Sequence, residues 1–223
     1  MKNIEKLKSK EGKLFLNVAS SFYLLENFVN LDNHIFLRFI HYPKLFKFIV
    51  PSKYHERFLK YSDGKKDAIL VKHDCRKPLP FPENSVDHIL CSHFLEHVYP
   101  NEMEKIVKDF KRALKKGGTL HIIVPDIAVA IETYLTRKKS GEELAADNFI
   151  HDTLLSKKDR GSLKYRILEF HGGFGLQHYW MYDNESMVYK IKKMGFKILN
   201  TNDTPSKTIR ENDDSVHIIC KKE

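Results

Sequence analysis

The sequence predicts an α/β protein: a mostly parallel, seven-stranded sheet with helices on both faces and an antiparallel strand pair at its C-terminal end. Three observations lead there. Several short apolar runs are near-continuous rather than alternating, as in strands covered on both faces. One such run leads into a well-punctuated amphipathic helix and then another apolar run, which makes a βαβ unit. The last helical pattern precedes two strand-like runs suited to antiparallel pairing.

In chain order, Leu14 to Val18 (LFLNV) is the first strand, following a charged lead-in. Phe28 to Asp32 (FVNLD) is the second and ends in a carboxylate. Only about nine residues separate the two, short for a parallel crossover, so a turn or a single helical turn is expected there. Ala68 to Lys72, Val86 to Ser92 and Thr119 to Val124 are the third, fourth and fifth strands, the last stopped by Pro125. Between the fourth and fifth, Met103, Ile106, Val107, Phe110 and Leu114 fall at helical spacing. Pro100-Asn101 starts that helix and Gly117-Gly118 is expected to end it. Asp183 is placed to cap a helix carrying Met187, Val188, Ile191 and Met194, closed by Gly195. Phe196 to Leu199 and Val216 to Cys220 are the closing strands.

The 223 residues fit one domain, 1–223, with 35–66 and 136–182 as insert or acceptor-side segments. Hydrophobic residues at 42 % and charged residues at 30 % are ordinary for a globular protein, and a chain this long buries a core without staples. Cys75, Cys91 and Cys220 are far apart and odd in number, which points to a reducing, cytoplasmic setting. No Cys/His spacing reads as a metal cluster, so no metal is expected. No signal peptide is evident, and no apolar run reaches the ~18 residues that cross a bilayer. The net charge of +9 favours anionic partners, although the lysines are scattered rather than blocked. Ile35 to Val50 mixes aromatics with Arg38, Lys44 and Lys47, so peripheral membrane contact stands beside a helix packed on the sheet.

The segment His73 to Val98, HDCRKPLPFPENSVDHILCSHFLEHV, resembles the central motif of class I S-adenosylmethionine-dependent methyltransferases of the type-11-like kind associated with polysaccharide biosynthesis. The matching pieces are Asp74, Arg76-Lys77, Leu79-Pro80-Phe81, Ser85-Val86-Asp87, Ser92-His93 and Leu95-Glu96-His97-Val98. Phe110 to Asp126 is similar to the next family block, and His178 to Phe196 to its late acceptor-side turn and helix. The resemblance implies a Rossmann-like fold and S-adenosyl-L-methionine as cofactor.

It further implies that Asp32 takes the ribose hydroxyls, that Asp74 and Cys75 border the adenine, and that Ser92 and His93 flank the methionine end. The loop of Asn17, Ala19, Ser20 and Ser21 would lie under the donor. That loop departs from the pattern: both family glycines are replaced, by Ala19 and Ser21. These are the smallest replacements, so a loop at negative φ is expected still to accommodate the cofactor, with a tolerated variant, a weakened site and a lost site as the open readings. Asp32 and Asp74 also suit plain strand-end turns, where Asp is common.

The implied reaction is O-methyl transfer to a sugar hydroxyl of a glycan or glycan precursor, or to another small acceptor. A hydroxyl acceptor usually needs a general base. His178 is the first candidate, because the glycine-rich stretch His171 to Gly175 precedes it; Asp126 and His93 are alternatives. Tyr179 and Trp180 suit either sugar stacking or the core. Glu96 and His97 are expected to fix the start of the next helix. Two competing readings are a degenerate, non-catalytic binding protein, motivated by the lost glycines, and a nucleic-acid methyltransferase, motivated by the basic charge. Against the latter, the chain lacks both an Asn-Pro-Pro-aromatic tetrad and a Pro-Cys nucleophile.

Overall fold

A computed structural model describes residues 4–21, 23–33, 42, 45, 48, 52, 55, 68–157, 163, 177–201 and 214–223. Seven strands form one sheet in the order β3-β2-β1-β4-β5-β7-β6. They are β1 (Phe15–Val18), β2 (Val29–Asp32), β3 (Ile69–Lys72), β4 (Val86–Ser92), β5 (Leu114–Pro125), β6 (Phe196–Thr201) and β7 (Ser215–Lys222). The first five run parallel, and β7 is antiparallel to both β5 and β6. Leu16 and Val18 of β1, Ile89 and Cys91 of β4, and Leu120, Ile122 and Val124 of β5 are fully buried. Their neighbours in sequence are largely buried too, which is the pattern of a sheet covered on both faces.

Helix α1 (Pro100–Ala113) carries the β4–β5 crossover. Pro100 needs no donor at the first helical position, and Glu102 Oε2 accepts from Tyr99 N at 2.9 Å. Met103, Ile106, Val107, Phe110 and Ala113 form its buried stripe. The helix ends at Ala113 rather than at Gly117-Gly118, and Leu114 opens β5 instead of closing the helix. The turn before β4 explains the early stop. Asn84 N and Ser85 N donate to Arg112 O and Ala113 O, and Leu114 pairs with Val86. Gly117, at φ +76°, and Gly118 instead sit in the irregular start of β5. A Cβ on Gly118 would come within 2.9 Å of Lys115 O.

Helices α2 (Ile127–Lys139) and α3 (Ala145–Asp152) follow β5, and α4 (Asn184–Lys193) precedes β6. Asp183 caps α4 by accepting from Ser186 N at 2.8 Å, and Gly195 leaves it at φ +79°. Met194 lies just past its end.

The β1–β2 connection, residues 19–28, has no helix among its described residues. Two buried asparagines hold it. Asn30 Oδ1 accepts from Asn17 Nδ2 (2.9 Å) and Leu25 N (2.9 Å), while Asn30 Nδ2 donates to Leu25 O, Phe28 O and Ile69 O. Asn17 Nδ2 also donates to Tyr23 O at 2.7 Å. Of the segment 35–66, and of 136–182 beyond residue 157, only Tyr42, Leu45, Phe48, Ser52, His55, Leu163 and 177–182 are described. The expectations for Ile35–Val50 and His171–Gly175 otherwise lie outside the described residues. No helix among the described residues is long and apolar enough to cross a membrane.

Candidate active site

Because β1 to β5 are parallel, their C-terminal ends share one rim, where ligands of open α/β sheets bind. Asp32 ends β2, Asp74 follows β3, Ser92 ends β4, and Asp126 follows β5. Cys91 pairs with Val18, which sets Ser92 at the level of Ala19.

The loop after β1 is turned as a glycine loop would be, without glycine. Ala19 lies at φ +53° and Ser21 at φ +47°, which corrects the expectation of negative φ. Left-handed backbone costs a residue with a Cβ about 1 kcal/mol or more, so surrounding contacts must impose it. Those contacts are visible: Asp32 Oδ2 accepts from Ser21 N at 2.8 Å, and Ser20 N donates to Leu31 O at 3.1 Å. Ser20 is buried and Ser21 exposed. Asn17 is buried, with its amide engaged by Asn30 and Tyr23, so it supports the loop from beneath.

Asp74 is held by Arg76, whose Nε and Nη2 reach its two oxygens at 3.0 and 2.9 Å. That fork keeps the carboxyl below its ordinary range, ahead of smaller effects of burial and Lys77. Cys75 turns its side chain inward, with Sγ 3.6 Å from Leu31 O. Burial first, then the nearby Asp32 charge, pushes its thiol well up, so it stays protonated. Ala19 backbone, Cys75 and Asp32 are therefore contiguous, and the first three strand ends converge.

At the fourth strand end, His93 adopts φ +51° and donates its backbone N–H to Ile123 O at 2.8 Å. Its ring stands between Glu96 Oε1, 3.3 Å from Nδ1, and Ser215 Oγ, 3.4 Å from Nε2. Glu96 and His97 lie in a 3-10 turn, Leu95–His97, and do not cap α1. Glu96 is wholly buried and His97 faces it, with Nε2 3.8 Å from Oε1. His178 joins the group: its ring is 4.9 Å from that of His97. Burial lowers the His178 pKa, against the opposing pull of the Glu96 charge. Asp126 forms a β-bridge with Tyr182 and has its carboxylate engaged at a helix start. It caps α2 by accepting from Ala128 N at 2.8 Å, and burial, with Asp183 and Glu185, raises its pKa.

Tyr179 and Trp180 are exposed, so they are not core. Tyr179 stacks on Tyr99 at 4.8 Å between ring centroids, and both Tyr179 N and Trp180 N donate to Glu96 O. An aromatic platform thus borders the His93–Glu96–His178 group. Sequence reasoning did not single out Arg76, Tyr99 or Ser215 for the site. Arg76, two residues past Asp74, carried a local signal; Tyr99 and Ser215 carried none, because their partners are distant in sequence.

Residues 40–122 match the protein-family profile described as "Methyltransferase domain". The match spans less than half of the chain and leaves out β1 with its glycine-free loop, β2 with Asp32, and everything after residue 122. No curated protein matches the sequence. Among solved structures, the chain is similar to a SAM-dependent methyltransferase from Methanosarcina mazei, at TM-score 0.51 and 15 % identity, covering 100 % of this chain and 98 % of that one. A protein from Pyrococcus horikoshii OT3 is similar at TM-score 0.50 and 13 % identity, covering 94 % and 81 %. At these identities the likeness bears on the fold, and the domain match bears on the activity. The fold is that of S-adenosylmethionine-dependent methyltransferases, and residues 40–122 are similar to a methyltransferase domain.

Proposed function

We propose that the protein transfers a methyl group from S-adenosylmethionine to a sugar hydroxyl of a glycan or glycan precursor, with His93 as general base. The donor supplies an electrophilic methyl on a sulfonium. The residues at the rim fit such a donor. Asp32 stands at the end of β2, where ribose hydroxyls seek a carboxylate, and the Ala19–Ser21 loop keeps the backbone turn that brings main chain close to a ligand.

His93 carries the acceptor side. With Oε1 3.3 Å away, the Glu96 charge favours the imidazole proton on Nδ1, and the Nε2 lone pair, which faces Ser215 Oγ at 3.4 Å, takes a hydroxyl proton once the acceptor displaces that contact. This is the orienting logic of a carboxylate behind a catalytic histidine. The exposed rings of Tyr99, Tyr179 and Trp180 offer flat apolar faces to the C–H faces of a sugar, and support the glycan acceptor.

Turnover with S-adenosylmethionine and a panel of oligosaccharides tests this. Sugar-dependent release of S-adenosylhomocysteine is expected, reduced roughly 10²–10⁴-fold by His93→Ala. Release that ignores the sugar, or that survives His93→Ala, contradicts it. A second reading, a non-catalytic binding protein, is favoured by the strained Ala19–Ser21 loop; sugar binding without turnover would select it.

A further inference from the structure

Glu96 is an anomaly in the core. Its side chain has no solvent exposure, and among the described residues neither carboxylate oxygen has a hydrogen bond of good geometry, although His93 Nδ1 stands 3.3 Å from Oε1. A buried carboxylate in that state is costly unless a positive charge faces it. Besides His93, two further imidazoles stand near Glu96. His97 Nδ1 is 3.0 Å from Gln177 O; a carbonyl only accepts, so that nitrogen carries the proton and Nε2 turns a lone pair toward Glu96. His178 bonds the backbone of Thr153, and its Nδ1, buried, has no partner among the described residues. One atom each from Glu96, His97 and His178 lie within 4.8 Å of one another.

We propose that Glu96, His97 and His178 bind a divalent transition-metal ion of the zinc class, with a further coordination position left for water or an acceptor oxygen. Two imidazoles and one carboxylate suit such an ion, and three protein ligands are the usual complement of an open site. The outer shell is also that of a metal site: each histidine is held by a backbone carbonyl through its other nitrogen, which fixes ring and tautomer. The buried Tyr182 hydroxyl, also without a partner among the described residues, lies near enough to feel the Glu96 charge and offers a contact for a metal-bound water. Glu96 would be shared between the ion and His93. The ligands come from the turn after β4 and the segment before α4, far apart in sequence, so spacing rules could not join them.

The test uses tag-free full-length protein stripped with a chelator, without cofactor or acceptor, so its outcome is separate from that of methyl transfer. Zn²⁺ is titrated calorimetrically, and Co²⁺ is added while visible absorption is recorded. One ion per chain and ligand-field bands at stoichiometric Co²⁺ are expected. Glu96→Gln and His178→Asn should each weaken Zn²⁺ at least tenfold, with His151→Ala, at an exposed histidine on α3, unchanged. Where a variant does not fold, the wild-type Co²⁺ spectrum decides. Absence of those bands, or Zn²⁺ binding that survives both substitutions in folded protein, overturns the proposal.

Discussion

Two parallel crossovers in this sheet solve the same problem by different means. Between β4 and β5, helix α1 lays Met103, Ile106, Val107 and Phe110 on the sheet, and apolar burial holds the link. Between β1 and β2 there is no helix among the described residues. Asn17 and Asn30, both buried, bond the loop backbone and each other instead. A short crossover lacks the length for an apolar helical face. Side-chain amides then satisfy the backbone groups that helix or solvent would otherwise take. The polar solution also helps set the shape of the loop after β1, since Asn17 Nδ2 bonds Tyr23 O.

Single substitutions should break the two links differently. Phe110→Ala should cost about 4 kcal/mol in urea unfolding, the usual toll of a large core cavity. Asn30→Ala should cost about 3 kcal/mol, because several buried donors and acceptors lose their partner at once. The discriminating variant is Asn30→Leu, which restores volume without hydrogen bonds. It should stay as destabilised as Asn30→Ala; recovery to wild-type stability would mean that packing, not the amide network, holds the β1–β2 link.

Acid should separate the regions next. His88 on β4 packs edge-on against Phe15 and Phe28, and burial lowers its pKa to about 4; His121 on β5 is lowered to about 4 by burial and then by His217. Both are neutral in the fold, whereas unfolded histidine titrates near 6.5. The depressed folded value means full stability above about pH 6.5, lost as pH falls toward 4 and the unfolded chain takes up protons. Linkage puts this at roughly 3 kcal/mol for each histidine. His88→Asn should remove about half of that slope in pH-dependent urea melts; an unchanged slope would place the effect elsewhere.

The smallest expected effect is in the donor loop. Ala19→Gly and Ser21→Gly should each stabilise the protein by up to about 1 kcal/mol, because glycine tolerates positive φ, less its greater freedom when unfolded. Thermal melts showing destabilisation at both positions would contradict the left-handed turn.

The strands, α1, α4 and the rim carboxylates were legible because periodicity, Pro, Gly and Asp report local backbone preference. The end of α1 was misread because its last carbonyls are satisfied by Asn84 and Ser85 from the turn before β4, a tertiary contact that outranks Gly117-Gly118 as a stop signal. The sign of φ at Ala19 and Ser21 was misread for a related reason: residue type gives the local preference, while Asp32 and Leu31 impose the conformation. The meeting of His93, Glu96, His97 and His178 was not legible at all. Their proximity depends on the segment before α4 folding back onto the turn after β4, and on Tyr179 and Trp180 bonding Glu96 O.

The most direct measurement is calorimetric titration of S-adenosylmethionine into the purified protein and into Asp32→Ala, with circular dichroism to verify the fold. One donor per wild-type chain is predicted, weakened at least about tenfold, or about 1.4 kcal/mol, in the variant. Absence of heat at millimolar donor, or equal affinity in a folded Asp32→Ala protein, would mean that the carboxylate at the end of β2 and its glycine-free loop do not form a donor site.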